Sequence, residues 1–136
     1  MADRDDLPDL QLEMYSQPRL LTAARAMVGN LAQRLGFTEL HAGQVSLAVD
    51  EALCNVINHG YDRQPHGRIY VKIWAIESDP PVIRIVMEDR ASQIEPDEIR
   101  GRDLDDIRPG GLGVYIIRQI MDEVVYEKRD GGGMRL

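Results

Sequence analysis

Ala48-Val49-Asp50-Glu51-Ala52-Leu53-Cys54-Asn55-Val56-Ile57-Asn58-His59-Gly60-Tyr61 (residues 48–61) is the stretch from which the rest of the chain can be read. It closes a helical pattern over roughly 41–59, with Val45, Ala48, Val49, Ala52, Leu53, Val56 and Ile57 on its apolar side. Glu51, Asn55 and His59 follow one another at i, i+4 and i+8, so on a helix they make one polar stripe beside that side. An asparagine carboxamide oxygen suits a hard cation such as Mg²⁺, which keeps several waters and takes phosphate oxygens as further ligands. A carboxylate one turn away can accept a proton from an attacking hydroxyl or water. The plainer reading is the solvated side of an amphipathic helix, and the stripe taken alone favours it.

Working outward, Leu20, Leu21, Ala24, Met27, Val28, Leu31 and Leu35 recur at helical spacing after Pro18, and Gly36 supplies a stop. Before them Leu10, Leu12 and Met14 alternate as in a half-buried strand, and the acidic residues 1–8 read as a flexible N-terminus. Downstream, GRIYVKIWAIE (67–77) and VIRIVMED (82–89) alternate as two strands around the turn Asp79-Pro80-Pro81. Tyr70 and Trp74 share one strand face and read as core or subunit contacts. Residues 90–111 are polar and without periodicity, a connection long enough to be functional. Leu112, Val114, Tyr115, Ile116, Ile117, Ile120 and Met121 predict a third helix, VVYEKR (124–129) a strand, DGGG a hairpin turn and MRL a last strand. Strand pairs joined by short turns predict a single domain over 1–136, an α/β two-layer sandwich with a mixed, mostly antiparallel sheet and helices on one face.

Composition narrows the function classes. The 136 residues carry 23 acidic and 16 basic side chains, a net charge of −7. That balance makes the chain a poor candidate for nucleic acid or an anionic membrane. A single cysteine, Cys54, excludes an internal disulfide and a cysteine zinc cluster and reads as buried and inert. His41, His59 and His66 lack metal-ligand spacing. No apolar run reaches the roughly 20 residues that span a bilayer, and the N-terminus lacks a signal-peptide core, so the expected location is the cytoplasm.

Two further features bear on chemistry. Asp89 ends an apolar strand, where a carboxylate can accept from an exocyclic amine such as that of adenine, although aspartate also commonly starts turns. Gly110-Gly111-Leu112-Gly113 enters the third helix, where small residues let backbone N–H groups approach a phosphate at the positive terminus; a plain loop-to-helix turn is the rival reading. It is neither a P-loop nor a dinucleotide fingerprint.

Taken together, helix ExxxN, strand-end Asp, long loop, GGLG and helix resemble the Bergerat-fold (GHKL) ATPases. More narrowly, AVDEALCNVINHGY (48–61) and GGLGVYIIRQIMDEVVYEK (110–128) are similar to the N-box and second glycine box of the anti-sigma factor serine/threonine kinases. The resemblance runs from about residue 10 to the end. It implies that Asn55 holds Mg²⁺ on the phosphates of ATP, that Glu51 activates the attacking hydroxyl, and that Asp89 reads the adenine amino group. Gly111, Leu112 and Gly113 would face the phosphates, and residues 90–111 would form the ATP lid. It further implies a STAS-type anti-anti-sigma protein as phosphorylation substrate, a sigma factor or equivalent regulator as sequestered partner, and a homodimer.

Two positions depart from that pattern. Ala91 stands where the family's first glycine box has Gly, and Met134 stands where Thr is frequent. Were a positive φ needed at 91, Ala would cost roughly 1 kcal/mol or more. Both changes touch base recognition, and on them rests the alternative of a non-catalytic, nucleotide-sensing binding module of a partner-switching system. A detached histidine-kinase ATPase domain ranks below both.

Overall fold

The structure is a computed structural model describing residues 7–93, 96 and 112–136. Five strands, β1 (Leu10–Tyr15), β2 (Arg68–Ile76), β3 (Val82–Asp89), β4 (Glu127–Lys128) and β5 (Met134–Arg135), form a sheet in the order β1-β2-β3-β5-β4. Every pairing among the described residues is antiparallel, so the expected mixed character resolves to a purely antiparallel sheet there. The strand expected over 124–129 is confined to Glu127–Lys128, because its partner β5 offers only Met134 and Arg135 to pair with.

Three helices cover one face: α1 (Leu21–Leu35), α2 (Glu39–Asn55) and α3 (Leu112–Ile120). Gly36 ends α1 as its sequence predicts. Its left-handed φ of 114° lets the Phe37 N–H reach back to Ala32 O at 3.0 Å. Thr38 then caps α2, its hydroxyl accepting from the His41 N–H at 3.1 Å, so that helix starts two residues before the expected 41.

The alternation in β2 turns Ile69, Val71 and Ile73 onto the helices, where they are almost wholly buried with Val28, Val49, Leu53 and Ile57. Each such side chain contributes about 1.5–3 kcal/mol relative to exposure, which ties the helix layer to the sheet. The opposite parity, including Tyr70, Trp74 and Glu88, lies on the outer face. Tyr70 and Trp74 are therefore outside the core.

Glu88 is buried on that outer face beneath three cations. Lys72 Nζ lies 2.7 Å from Oε1, and Arg129 Nε and Arg135 Nη2 lie 3.1 and 3.0 Å from Oε2. Burial opposes its charge, but the hydrogen bonds from Lys72 and Arg135 and the charges of Lys72 and Arg129 win, holding the carboxyl below its ordinary value. A depressed folded value adds stability that is present above the unfolded pKa and lost as pH falls through the folded one. Glu88→Gln is therefore expected to cost about 1–3 kcal/mol at neutral pH, discounted for its half-exposed partners, and much less near pH 3. Urea unfolding at both pH values tests this. A pH-independent difference would show that the ionised carboxylate is not the source.

Candidate functional site

α2 does not continue unbroken to residue 59. It ends at Asn55 and passes into one π turn, Val56–Gly60, closed by the Tyr61 N–H on Val56 O at 2.8 Å. Wider turns of this kind recur at functional sites. Here the turn takes His59 out of the four-residue register and leaves it exposed, so the stripe reduces to Glu51 and Asn55.

Both of those side chains are half-buried against the first turn of α3. A Cβ built on Gly113 would lie 2.7 Å from Glu51 Oε2 and 3.6 Å from both Oδ1 and Nδ2 of Asn55. Residues 58 and 62 positions apart in sequence are thus packed together, and any larger residue at 113 would fill the space between the carboxylate, the carboxamide and the helix N-terminus. That terminus carries positive partial charge suited to an anion. Leu112 sits at the start of α3 and is exposed, whereas Gly111 and nearly all of the expected lid over 90–111 lie outside the described residues.

Asp89 is buried at the end of β3, and its own hydrogen bonds run to the strand side of the site. Oδ1 accepts from the Ala91 N–H at 2.9 Å and the Met134 N–H at 3.1 Å, while Arg129 Nη1 donates to its carbonyl at 2.6 Å. Among the described residues both side-chain bonds fall on Oδ1. Tyr61 joins this end to α2: its hydroxyl accepts from the Arg90 N–H at 2.7 Å and donates to Arg68 O. Burial raises the Tyr61 pKa, so the phenol stays protonated in that role.

Ala91 is not among the residues with positive φ, so the expected strain at that position is absent. Its methyl is accommodated because Gly60 faces it; a Cβ on Gly60 would come within 3.3 Å of the Ala91 Cβ. Met134 is buried and lacks a hydroxyl, yet its main chain still holds Asp89. Cys54, between Glu51 and Asn55, is half-buried rather than fully buried. Desolvation first, then the charges of Asp50 and Glu51, raise its pKa, and it remains a protonated thiol with little nucleophilic character.

Arg129, Gly133 and Tyr61 are positioning residues that the sequence did not single out. The only signal was the glycine run 131–133, which reads as a turn. Gly133 takes φ +83°, and a Cβ there would stand 1.9 Å from Asp89 O.

A family model for the histidine kinase-like ATPase domain matches residues 14–136. This chain belongs to that family. The sandwich of an antiparallel sheet under three helices agrees with it. Similar curated proteins include the serine-protein kinase RsbW of Listeria monocytogenes serotype 4a (strain HCC23), 29% identical over 122 residues that span 85% of this chain and 76% of the relative. The serine-protein kinases RsbW of Oceanobacillus iheyensis and Bacillus subtilis (strain 168) are 25% and 24% identical over 130 and 131 residues. Those alignments span 90% of this chain and 80% and 79% of the two relatives. Within this ATPase domain the donor set fits a nucleotide. It combines a carboxamide oxygen, a carboxylate, a cradle at Gly113 kept open by the missing Cβ, and a strand-end acceptor at Asp89. Among the described residues no helix is long and apolar enough to cross a membrane.

Proposed function

We propose that this chain is an ATP- and Mg²⁺-dependent protein serine/threonine kinase and anti-sigma factor. Its substrate would be a serine or threonine on a STAS-type anti-anti-sigma protein, and in its other state it would sequester a sigma factor or equivalent regulator, acting in the cytoplasm as a homodimer. The observation that carries the reading is the packing of Gly113 against Glu51 and Asn55. A carboxylate, a carboxamide and a positive helix end in one small space support that reading.

Phosphoryl transfer needs positioning and charge neutralisation more than covalent chemistry. Asn55 Oδ1 would supply one protein ligand to Mg²⁺, with Gly111, Leu112 and Gly113 toward the phosphates, and bound Mg²⁺ would supply charge neutralisation there. Asp89 Oδ2 would accept the adenine amino hydrogen, held in place by Met134, Ala91 and Arg129. Glu51 would take the proton of the attacking hydroxyl. The non-catalytic alternative is weakened by the relaxed backbone at Ala91 and by the intact main-chain bond from Met134.

Calorimetric titration of nucleotide-stripped protein with ATP, with and without Mg²⁺, tests the site. Micromolar, Mg²⁺-dependent affinity is expected, weakened about 10- to 100-fold in Asn55→Ala. Absence of binding at millimolar nucleotide would overturn the proposal.

A further inference from the structure

A single peptide unit of the turn between β4 and β5 grips the Asp89 side chain. The N–H of the Gly133–Met134 peptide donates to Asp89 Oδ1 at 3.1 Å. The carbonyl of the same peptide, Gly133 O, accepts from the Arg129 N–H at 3.0 Å and from Gln93 Nε2 at 3.2 Å. Gln93 Nε2 also donates to Arg129 O at 2.7 Å, and Arg129 Nη1 lies 2.6 Å from Asp89 O. Gln93 therefore bonds to both groups that hold Asp89, one on its carboxylate and one on its main-chain carbonyl. With the Ala91 N–H on Oδ1 at 2.9 Å, these contacts close a ring that leaves β3 at Asp89, crosses to the hairpin through Gln93 and returns.

The ring calls for a carboxamide. Both acceptors are carbonyl oxygens, so the amide must turn its nitrogen toward them, and a primary amide has two hydrogens to give there. Methionine has the length but no donor, and an ionised glutamate would set negative oxygen against two carbonyls. Donation into a peptide carbonyl also polarises that peptide and strengthens its own N–H as a donor. The bond from Gln93 to Gly133 O thus reinforces the bond from the Met134 N–H to Asp89. Gln93 is itself exposed, so the apolar core gains nothing from it.

We infer that Gln93 is a positioning residue for base recognition. It acts through the Gly133–Met134 peptide and Arg129 to fix the direction of the Asp89 carboxylate, and so sets how much the exocyclic amine of adenine contributes to binding. The inference rests on the proposed nucleotide site, where Asp89 accepts from that amine. A firmly held carboxylate rewards a base that carries the amine, whereas one free to swing discriminates less.

The test titrates nucleotide-stripped full chain, wild type and Gln93→Met, by calorimetry with three Mg²⁺-loaded ligands. These are ATP, purine riboside triphosphate, which lacks the amine, and inorganic tripolyphosphate. ATP affinity is expected to fall about 3- to 10-fold in Gln93→Met, the worth of a modest hydrogen bond. Purine riboside triphosphate and tripolyphosphate are expected to bind both proteins alike, so the preference for the amine shrinks by the same factor. Gln93→Glu, expected to lose at least as much of that preference at neutral pH, serves if Gln93→Met does not fold. Equal losses for ATP and purine riboside triphosphate, or any loss for tripolyphosphate, would overturn the inference, because a general loosening of the site has that pattern. An unchanged preference in a variant that binds ATP overturns the inference and leaves the nucleotide site standing. A wild type that binds no ATP overturns both.

Discussion

Glu51→Gln is expected to slow phosphate transfer to a STAS-type substrate by about 10²–10⁴-fold while leaving ATP affinity close to wild type. Glutamine matches glutamate in shape, so the contact with Gly113 and the place of Asn55 one turn on are retained. What disappears is an oxygen able to take a proton, and only the step that needs a base suffers. The mirror-image result is expected of Asn55→Ala, which loses nucleotide binding first. Single-turnover transfer of labelled γ-phosphate at saturating ATP separates the two. A Glu51→Gln protein that transfers at the wild-type rate would remove Glu51 from the chemistry and favour the non-catalytic binding module.

Gly133→Ala is expected to be the most damaging single-methyl change among the described glycines. The added Cβ would fall 1.9 Å from Asp89 O and 2.8 Å from the Arg90 Cα, both backbone atoms that no rotamer change can clear. Alanine must also adopt φ +83°, a left-handed conformation that costs about 1–2 kcal/mol. With strain from the overlap, a loss of about 3–5 kcal/mol is expected, or roughly 10–20 °C in Tm for a domain of this size. Gly131→Ala is the control. Its φ is +85°, but nothing lies within 4 Å of its Cβ, so only the same conformational cost of about 1–2 kcal/mol applies. Thermal melts of the two variants side by side decide the matter. Equal losses would show that crowding against Asp89 is absent in solution. ATP affinity in the folded fraction of Gly133→Ala should also fall, since the overlap displaces the peptide that carries Asp89.

The sequence by itself determined the elements and their faces. The spacing of Val45 to Ile57, the alternation of Ile69 to Ile73 and the Gly36 stop are set by neighbours a few residues away, and such local periodicities survive whatever the rest of the chain does. The pairing of Glu51 with Asn55 belongs to the same class, being one helical turn. Tertiary structure alone decided the rest. It placed Gly113 on that pair, set Asp89 between Met134 and Arg129, relieved Ala91 by opposing it with Gly60, and buried Glu88 under cations from β2, from β5 and from the residue after β4. It also broke the expected helix at Asn55 into a π turn and removed His59 from the stripe. The reason is physical. Asp89 and Met134 are 45 residues apart, and whether they meet depends on β5 lying between β3 and β4. That strand order is fixed by packing of the whole sheet under the helices, which no short window of sequence contains.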